Sequence, residues 1–272
     1  MSAAADAGAA PLAALPMYDW PETAPALDRL WVEVRERLRA RGIAAPDALE
    51  RGIGLWQGWL HPGLVLGQSC ALPYREVLHG RVTLVGTADW GLEGAPPGFY
   101  YSRIVVRAAD RRARLAEFAG ARLAINGPDS QSGWGAAFAS AAEAGIDFGR
   151  ILVTGAHRAS AAAVAAGEAD IAFIDAVTWR LVLRFMPEVA ARLRVIGASR
   201  PTPGLPFIAR AGADAAAIRA ALAEGLAALD SADRELLGMR AILPADPEAY
   251  LAVPRPPEAL TAAPRRSAGA AS

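Results

Sequence analysis

The chain has 272 residues, 53% hydrophobic and 21% charged, with 28 basic side chains against 28 acidic ones. That size and balance allow one large α/β domain or two lobes, exclude an unfolded chain, and leave no net field to attract nucleic acid or an anionic membrane. Every basic side chain is arginine, which excludes Schiff-base lysines and the lysine-bearing phosphate loop of nucleotide hydrolases.

Helix and strand signals alternate along most of the chain. "LAALPMY" reads as a strand, and "PALDRLWVEVRERLRARG" as an amphipathic helix with Leu27, Leu30, Trp31, Val34 and Leu38 on one face and Gly42 as its stop. "GLVLGQS", "RVTLVGTAD" and "FYYSRIVVRA" are apolar runs of strand length, followed by a short helix in "RRARLAEFAG" and a strand in "ARLAIN". After "INGPDSQSGWGAAFASAAEAG", which passes from strand to helix, come the strand "RILVTG", the helix "RASAAAVAAGEA" and the strand "DIAFID". The helix "AVTWRLVLRFM", the strand "LRVIGAS" and two helices around "DAAAIRAALAEGLAAL" and "SADRELLGM" complete the pattern.

Strands that are apolar throughout and alternate with helices imply mostly parallel sheets covered on both faces. The segments "GFYYSRIVV" and "SRPTPGLPFIA" read as crossings, so two lobes are expected, the second inserted into the first. Lobe 1 is residues 11–101 with 204–254 and lobe 2 is residues 102–203, with a ligand cleft between them and disordered tails at 1–10 and 255–272. Cys70 is the lone cysteine, and His61, His79 and His157 lack the spacing of a helical metal site, so neither a metal nor a cofactor is expected. The N-terminal stretch has neither the basic start nor the continuous apolar run of a secretory signal, which points to an unexported chain.

The polar join at residues 126–133 is the leading site candidate. Helix N-termini expose unpaired N–H groups and the positive end of the dipole, so an oxyanion can be held there without a formal cation. Ser130 and Ser132 would add hydroxyls, and Gly133 would let a ligand approach the backbone; equally, Asp129, Ser130 or Ser132 could simply cap the helix. His157 and Asp175 each follow a strand at its carboxyl end, where ligands collect in parallel α/β sheets. Ser130 or Ser132 with His157 and Asp175 also has the cast of a hydrolytic triad, but "GQSCA" fails the nucleophile-elbow pattern at Ala71, and no catalytic residue is assigned. Tyr18 and Tyr101, each beside a turn, are candidate donors to a ligand, whereas Trp134 and Trp179 read as core.

The segments "MYDWPE", "LVLGQSCALPY", "GFYYSRIVVRA", "LAINGPDSQSGW", "TGAHRASAAAVAAGEADIAFIDAVTW" and "PGLPFIA" resemble, in this order, the phosphate/phosphite/phosphonate substrate-binding proteins of ABC transporters. The resemblance spans about Leu15 to Ile208. It implies a type II periplasmic-binding-protein fold, two α/β lobes on a two-strand hinge that close on a small oxyanion. It also implies binding through Ser130, Gln131, Ser132 and nearby N–H groups, with Tyr101, His157 and Tyr18 as further contacts and Asp175 holding a ligand's amine. Gln131 departs from the family's S-T-S-G loop. The partners implied are an ABC permease and ATPase, with no nucleic acid, and the protein itself is expected to be a monomer. The location implied is the periplasm, against the reading of the N-terminus; a cytoplasmic anion sensor or carrier on the same fold is the alternative, and a serine hydrolase the third reading.

Overall fold

The computed structural model describes residues 8–256. The expected tails at 1–10 and 255–272 therefore lie, except for residues 8–10 and 255–256, outside the described residues. These divide into two compact units, 8–99 with 203–251 and 100–202 with 252–256.

The chain opens with β1 (Leu12–Ala14), shorter than its apolar run suggests, because Pro16 turns the chain into the 3-10 segment Pro16–Tyr18. The helix Ala24–Ala40 buries the five residues read as its apolar face, together with Ala26, and Gly42 ends it at φ +75°. Then come β2 (Leu64–Gln68) and β3 (Val82–Asp89). The chain leaves the first unit along β4 (Phe99–Tyr100) and builds β5 (Ser102–Arg107), β6 (Leu123–Ile125), β7 (Ile151–Val153), β8 (Ile171–Asp175) and β9 (Leu193–Ala198). It returns along β10 (Thr202–Pro203) to add β11 (Pro206–Arg210) and β12 (Ala241–Leu243). "RRARLAEFAG" carries only the 3-10 turn Leu115–Phe118 rather than a helix.

The first unit's sheet runs β1-β2-β11-β3-β12 and the second's runs β7-β6-β8-β5-β9. The expected parallel direction holds within the successive strands β1, β2 and β3, and within β6, β7, β8 and β9. The pairings are nonetheless mixed, because β11 lies antiparallel between β2 and β3, the edge strand β12 antiparallel to β3, and β5 antiparallel between β8 and β9. A strand that brings the chain in from the other unit runs against its neighbours, and local hydrophobic pattern carries no sign of direction.

In the second unit the core gathers Ile104, Val106, Phe118, Leu123, Ile125, Trp134 and Phe173. Each such side chain contributes roughly 1.5–3 kcal/mol when taken out of water. All five residues of β8 are buried, as a strand covered on both faces requires. Trp134 sits in this core, its ring 6.3 Å from that of Phe138, and Trp179 is also buried, as both were read. Because β6, β7 and β8 are parallel, their carboxyl ends lie along one edge of the sheet.

Candidate functional site

Three successive strand-to-helix joins meet at that edge. After β6, Ser130 takes an extended backbone and its Oγ accepts the Gly133 N–H at 3.0 Å, so Ser130 is a helix cap. The helical segment begins with a wide π turn, Gln131–Gly135, in which the Ser130 carbonyl accepts the Gly135 N–H at 2.9 Å, and continues as the α-helix Ala136–Ala144. Ser132 does not cap. Its Oγ lies 2.7 Å from His157 Nε2 and 3.5 Å from Ser130 Oγ, and its carbonyl accepts from Ser102 Oγ at 2.8 Å.

His157 opens the helix His157–Ala166 that follows β7, with its side chain 11% exposed. Its Nε2 also lies 3.6 Å from Asp175 Oδ2. Asp175 ends β8, is 2% exposed, and caps the helix Ala176–Phe185 through Oδ1, which accepts from Val177 N–H and Thr178 N–H at 3.1 and 2.9 Å. Burial pushes the His157 imidazole below its usual pKa, opposed by the Asp175 carboxylate and the Phe173 backbone. The ring is therefore neutral at neutral pH, and two hydroxyls, helix-terminal N–H groups, a neutral imidazole and a buried carboxylate share one small region.

The remaining residues expected at the site divide between the units. Tyr101 lies beside Asp175: its carbonyl accepts the Ala176 N–H at 2.9 Å and the Arg103 guanidinium stands 4.9 Å over its ring. Gln131 is 1% exposed and turned back along its own helix, where a Cβ on Gly135 would sit 2.8 Å from its Oε1. A Cβ on Gly133 would come to 1.9 Å from Asn126 Oδ1 and 3.3 Å from His157 Cε1, so close packing within the site itself demands glycine there. Tyr18 belongs to the first unit, buried with its ring edge-on to Trp90 at 5.0 Å.

Two contributors escaped the sequence reading. Ser102 pairs with Asp175 across β5 and β8 and donates its hydroxyl to the Ser132 carbonyl at 2.8 Å. Asn126 ends just past β6 and sets the requirement at Gly133. The segments "GFYYSRIVVRA" and "LAINGPDSQSGW" contain both, but the role of Ser102 arises from contacts dozens of residues away and that of Asn126 from the shape of a short turn.

The hydrolytic arrangement does not form. In a Ser–His–Asp relay the carboxylate holds one ring nitrogen while the serine uses the other. Here Ser132 and Asp175 approach the same nitrogen, Nε2, so the carboxylate is not set to orient a base for Ser132.

The first unit holds a cavity of about 330 Å³ lined by Ala14, Asp19, Glu50, Arg51, Ile53 and Trp59, among others. Its one arginine is committed to Asp19 at 2.7 Å and Asp28 at 2.9 Å, which suits it poorly to an anion. Among the described residues no group of three His, Cys, Asp or Glu is placed to hold a metal ion, and no helix is long and apolar enough to cross a membrane.

Residues 70–250 match the family model described as "ABC transporter, phosphonate, periplasmic substrate-binding protein". Among solved structures, PhnD1 from Prochlorococcus marinus in complex with methylphosphonate is 14% identical, with 88% of this chain and 94% of that one covered and a TM-score of 0.67. A Xanthomonas citri protein bound to chloride ion is 17% identical, with 89% and 94% covered and a TM-score of 0.66. A binding-protein component of an ABC phosphonate transporter from Pseudomonas aeruginosa is 16% identical, with 89% and 84% covered and a TM-score of 0.64. No curated protein matches the chain. At these identities the structures establish the fold, a type II periplasmic-binding-protein fold, while the family model establishes membership. The family is one of substrate-binding proteins and not of enzymes. The chain belongs to the periplasmic phosphonate substrate-binding proteins of ABC transporters.

Proposed function

We propose that this protein is the solute-capturing component of an ABC importer, binding a small phosphorus oxyanion, whether phosphonate, phosphite or phosphate, and presenting it to a permease and its ATPase. It works in the periplasm as a monomer. The observation that carries the reading is the Ser130–Ser132–His157 cluster at the start of the helical segment after β6, where hydroxyl and N–H donors converge without a formal cation. Ser130, Ser132 and the first-turn N–H groups hold the phosphoryl oxygens, with His157 and Gln131 beside them. Tyr101 and, from the first unit, Tyr18 complete the contacts. Ligand binding favours the form in which the two units have closed about the chain crossings, and the permease reads that form.

A thermal-shift series with methylphosphonate, aminoethylphosphonate, phosphite, phosphate, sulfate and simple carboxylates tests this directly. Methylphosphonate, the ligand held by the Prochlorococcus marinus protein, is the first to try. A ligand at a hundred times its Kd should add about 2.7 kcal/mol to the stability of the native state. Absence of a shift with every phosphorus oxyanion rejects the reading. Replacing Ser130 and Ser132 together with alanine should abolish the shift while the protein remains folded; loss of stability alone would make them caps and nothing more.

A further inference from the structure

The chain passes between its two units along β4, back along β10, and a third time after Leu251. All three passages are rooted in one cluster that belongs to the first unit. Gly98 precedes β4 and Gly204 follows β10, and the Gly204 N–H donates to the Gly98 carbonyl at 2.8 Å. A Cβ on Gly204 would come within 2.9 Å of both that carbonyl oxygen and Thr87 Oγ1, and Gly98 has φ +79°, so both positions require glycine. Left to themselves, two glycines at the foot of a crossing would be the points where a hinge bends most easily.

Here they are held. The Gly204 carbonyl accepts the Tyr250 hydroxyl at 2.9 Å, from the short helix Pro247–Leu251. The next carbonyl, that of Leu205, accepts from Thr87 Oγ1 on β3 at 3.4 Å. Tyr250 is 1% exposed, and its ring stands edge-on to that of Tyr74 at 5.2 Å. Burial pushes its phenol above the usual pKa, so the hydroxyl keeps the proton it donates.

We infer that Tyr250 is a positioning residue for ligand capture, which pins the first-unit end of the crossing strands through Gly204 and confines hinge bending to the residues beyond them. This rests on the capture-by-closure reading above and adds to it a determinant that touches no ligand. With the root pinned, the ligand-free protein samples a narrow range of arrangements. Loosening the root widens that range, and closure must then give up the added freedom, which weakens binding without removing a contact.

Tyr250→Phe keeps the ring and deletes the hydroxyl, and three measurements on the full chain follow its effect. Amide hydrogen exchange at Gly204 should quicken about tenfold, the worth of one hydrogen bond, with the second unit's sheet unchanged. Pulsed electron paramagnetic resonance distances between spin labels on Val32→Cys and Leu183→Cys, an exposed position in each unit, should broaden without ligand and recover the wild-type width at saturating methylphosphonate. Cys70 is buried and so shielded from labelling. Methylphosphonate affinity by titration calorimetry should fall about fivefold, the scale on which residues remote from a ligand act. Thr87→Val, which removes the second hydroxyl at the root, should act in the same direction more weakly, and replaces Tyr250→Phe as the test if that variant does not fold.

A Tyr250→Phe protein that is merely less stable, with wild-type distance width and affinity, would overturn the inference and leave the tyrosine a packing residue. Faster exchange without broadening, or broadening without loss of affinity, would overturn it too. Failure of the wild type to bind any phosphorus oxyanion would reject the oxyanion reading, while the exchange and ligand-free distances would still decide whether Tyr250 pins the root.

Discussion

Two aspartates bracket β8, Asp170 just before it and Asp175 as its last residue, and the two are held in opposite ways. At the amino end Asp170 takes the Arg122 guanidinium on both oxygens, at 2.8 and 3.0 Å, and Arg107 at 3.1 Å, which drives its carboxyl far below the usual range. At the carboxyl end, five residues on, Asp175 is bound by N–H groups of a helix and faces a neutral imidazole. Guanidinium clamps consume a carboxylate's charge and lone pairs inside the protein, so Asp170 is a fastening. A carboxylate set by backbone N–H groups caps the helix it precedes, so Asp175 is a cap beside the His157 ring. Sheet direction decides which end gets which treatment, because helix N-termini follow the carboxyl ends of parallel strands.

That contrast is open to being broken. The largest effect is expected from Ser132→Ala, which removes a donor from the proposed oxyanion site: affinity for methylphosphonate should fall about a hundredfold, the worth of a hydrogen bond to a charged group, with little change in the midpoint of urea unfolding. At the opposite end Asp170→Asn should leave ligand affinity intact and cost about 2 kcal/mol in urea unfolding. That figure lies between a surface pair and a buried one, because the carboxylate is largely covered while its arginines are partly exposed. Since the folded pKa of Asp170 is depressed, its stabilisation is present above the unfolded value of about 4 and is lost as pH falls toward the folded one. The wild type and Asp170→Asn should therefore converge in stability in acid; a gap that persisted would refute the ion-pair account.

Smaller is Ser130→Ala, which deletes the cap on the Gly133 N–H and should cost about 1 kcal/mol, read as a lower melting temperature without ligand. The smallest is the His157 contribution to the pH profile. A histidine whose folded pKa is lowered favours unfolding once the unfolded chain can take up the proton, so unliganded stability should decline as pH drops below about 6.5. His157→Gln should flatten that decline, and a profile of unchanged slope would show that the ring's burial is not coupled to folding.

Much of the candidate site was legible in the sequence because each part is local. "SQS", "AHR" and "FID" stand at strand-to-helix joins, and parallel strands gather such joins on one edge. Helix Ala24–Ala40 was equally legible, since its five large apolar residues repeat at helical spacing. What the sequence hid depends on partners distant along the chain. Nothing in "YYSR" says that Ser102 will meet Ser132 thirty residues on; Asn126 and Gly133 are close in sequence, but only the shape of the turn brings them together. The arginine clamp on Asp170 joins β5, the start of β6 and the start of β8, and so was invisible to a reading by segments. The direction of β5 and β11 was hidden for the same reason. Ser130 shows a different limit: cap and anion donor need the same residue type, and the Gly133 bond establishes the first role without removing the second hydroxyl lone pair or its proton.

The bond from Ser102 Oγ to the Ser132 carbonyl ties the polar loop to the first residue of the strand by which the chain enters its unit. Strand side chains alternate faces, so a slip of β5 by one residue would turn this hydroxyl away and put Arg103 in its place. The loop's position is thus indexed to the length of the crossing segment before it. Insertions in the exposed turns of this unit should be tolerated, whereas a single residue added or removed between Phe99 and Ser102 should misplace the loop as surely as a change within it.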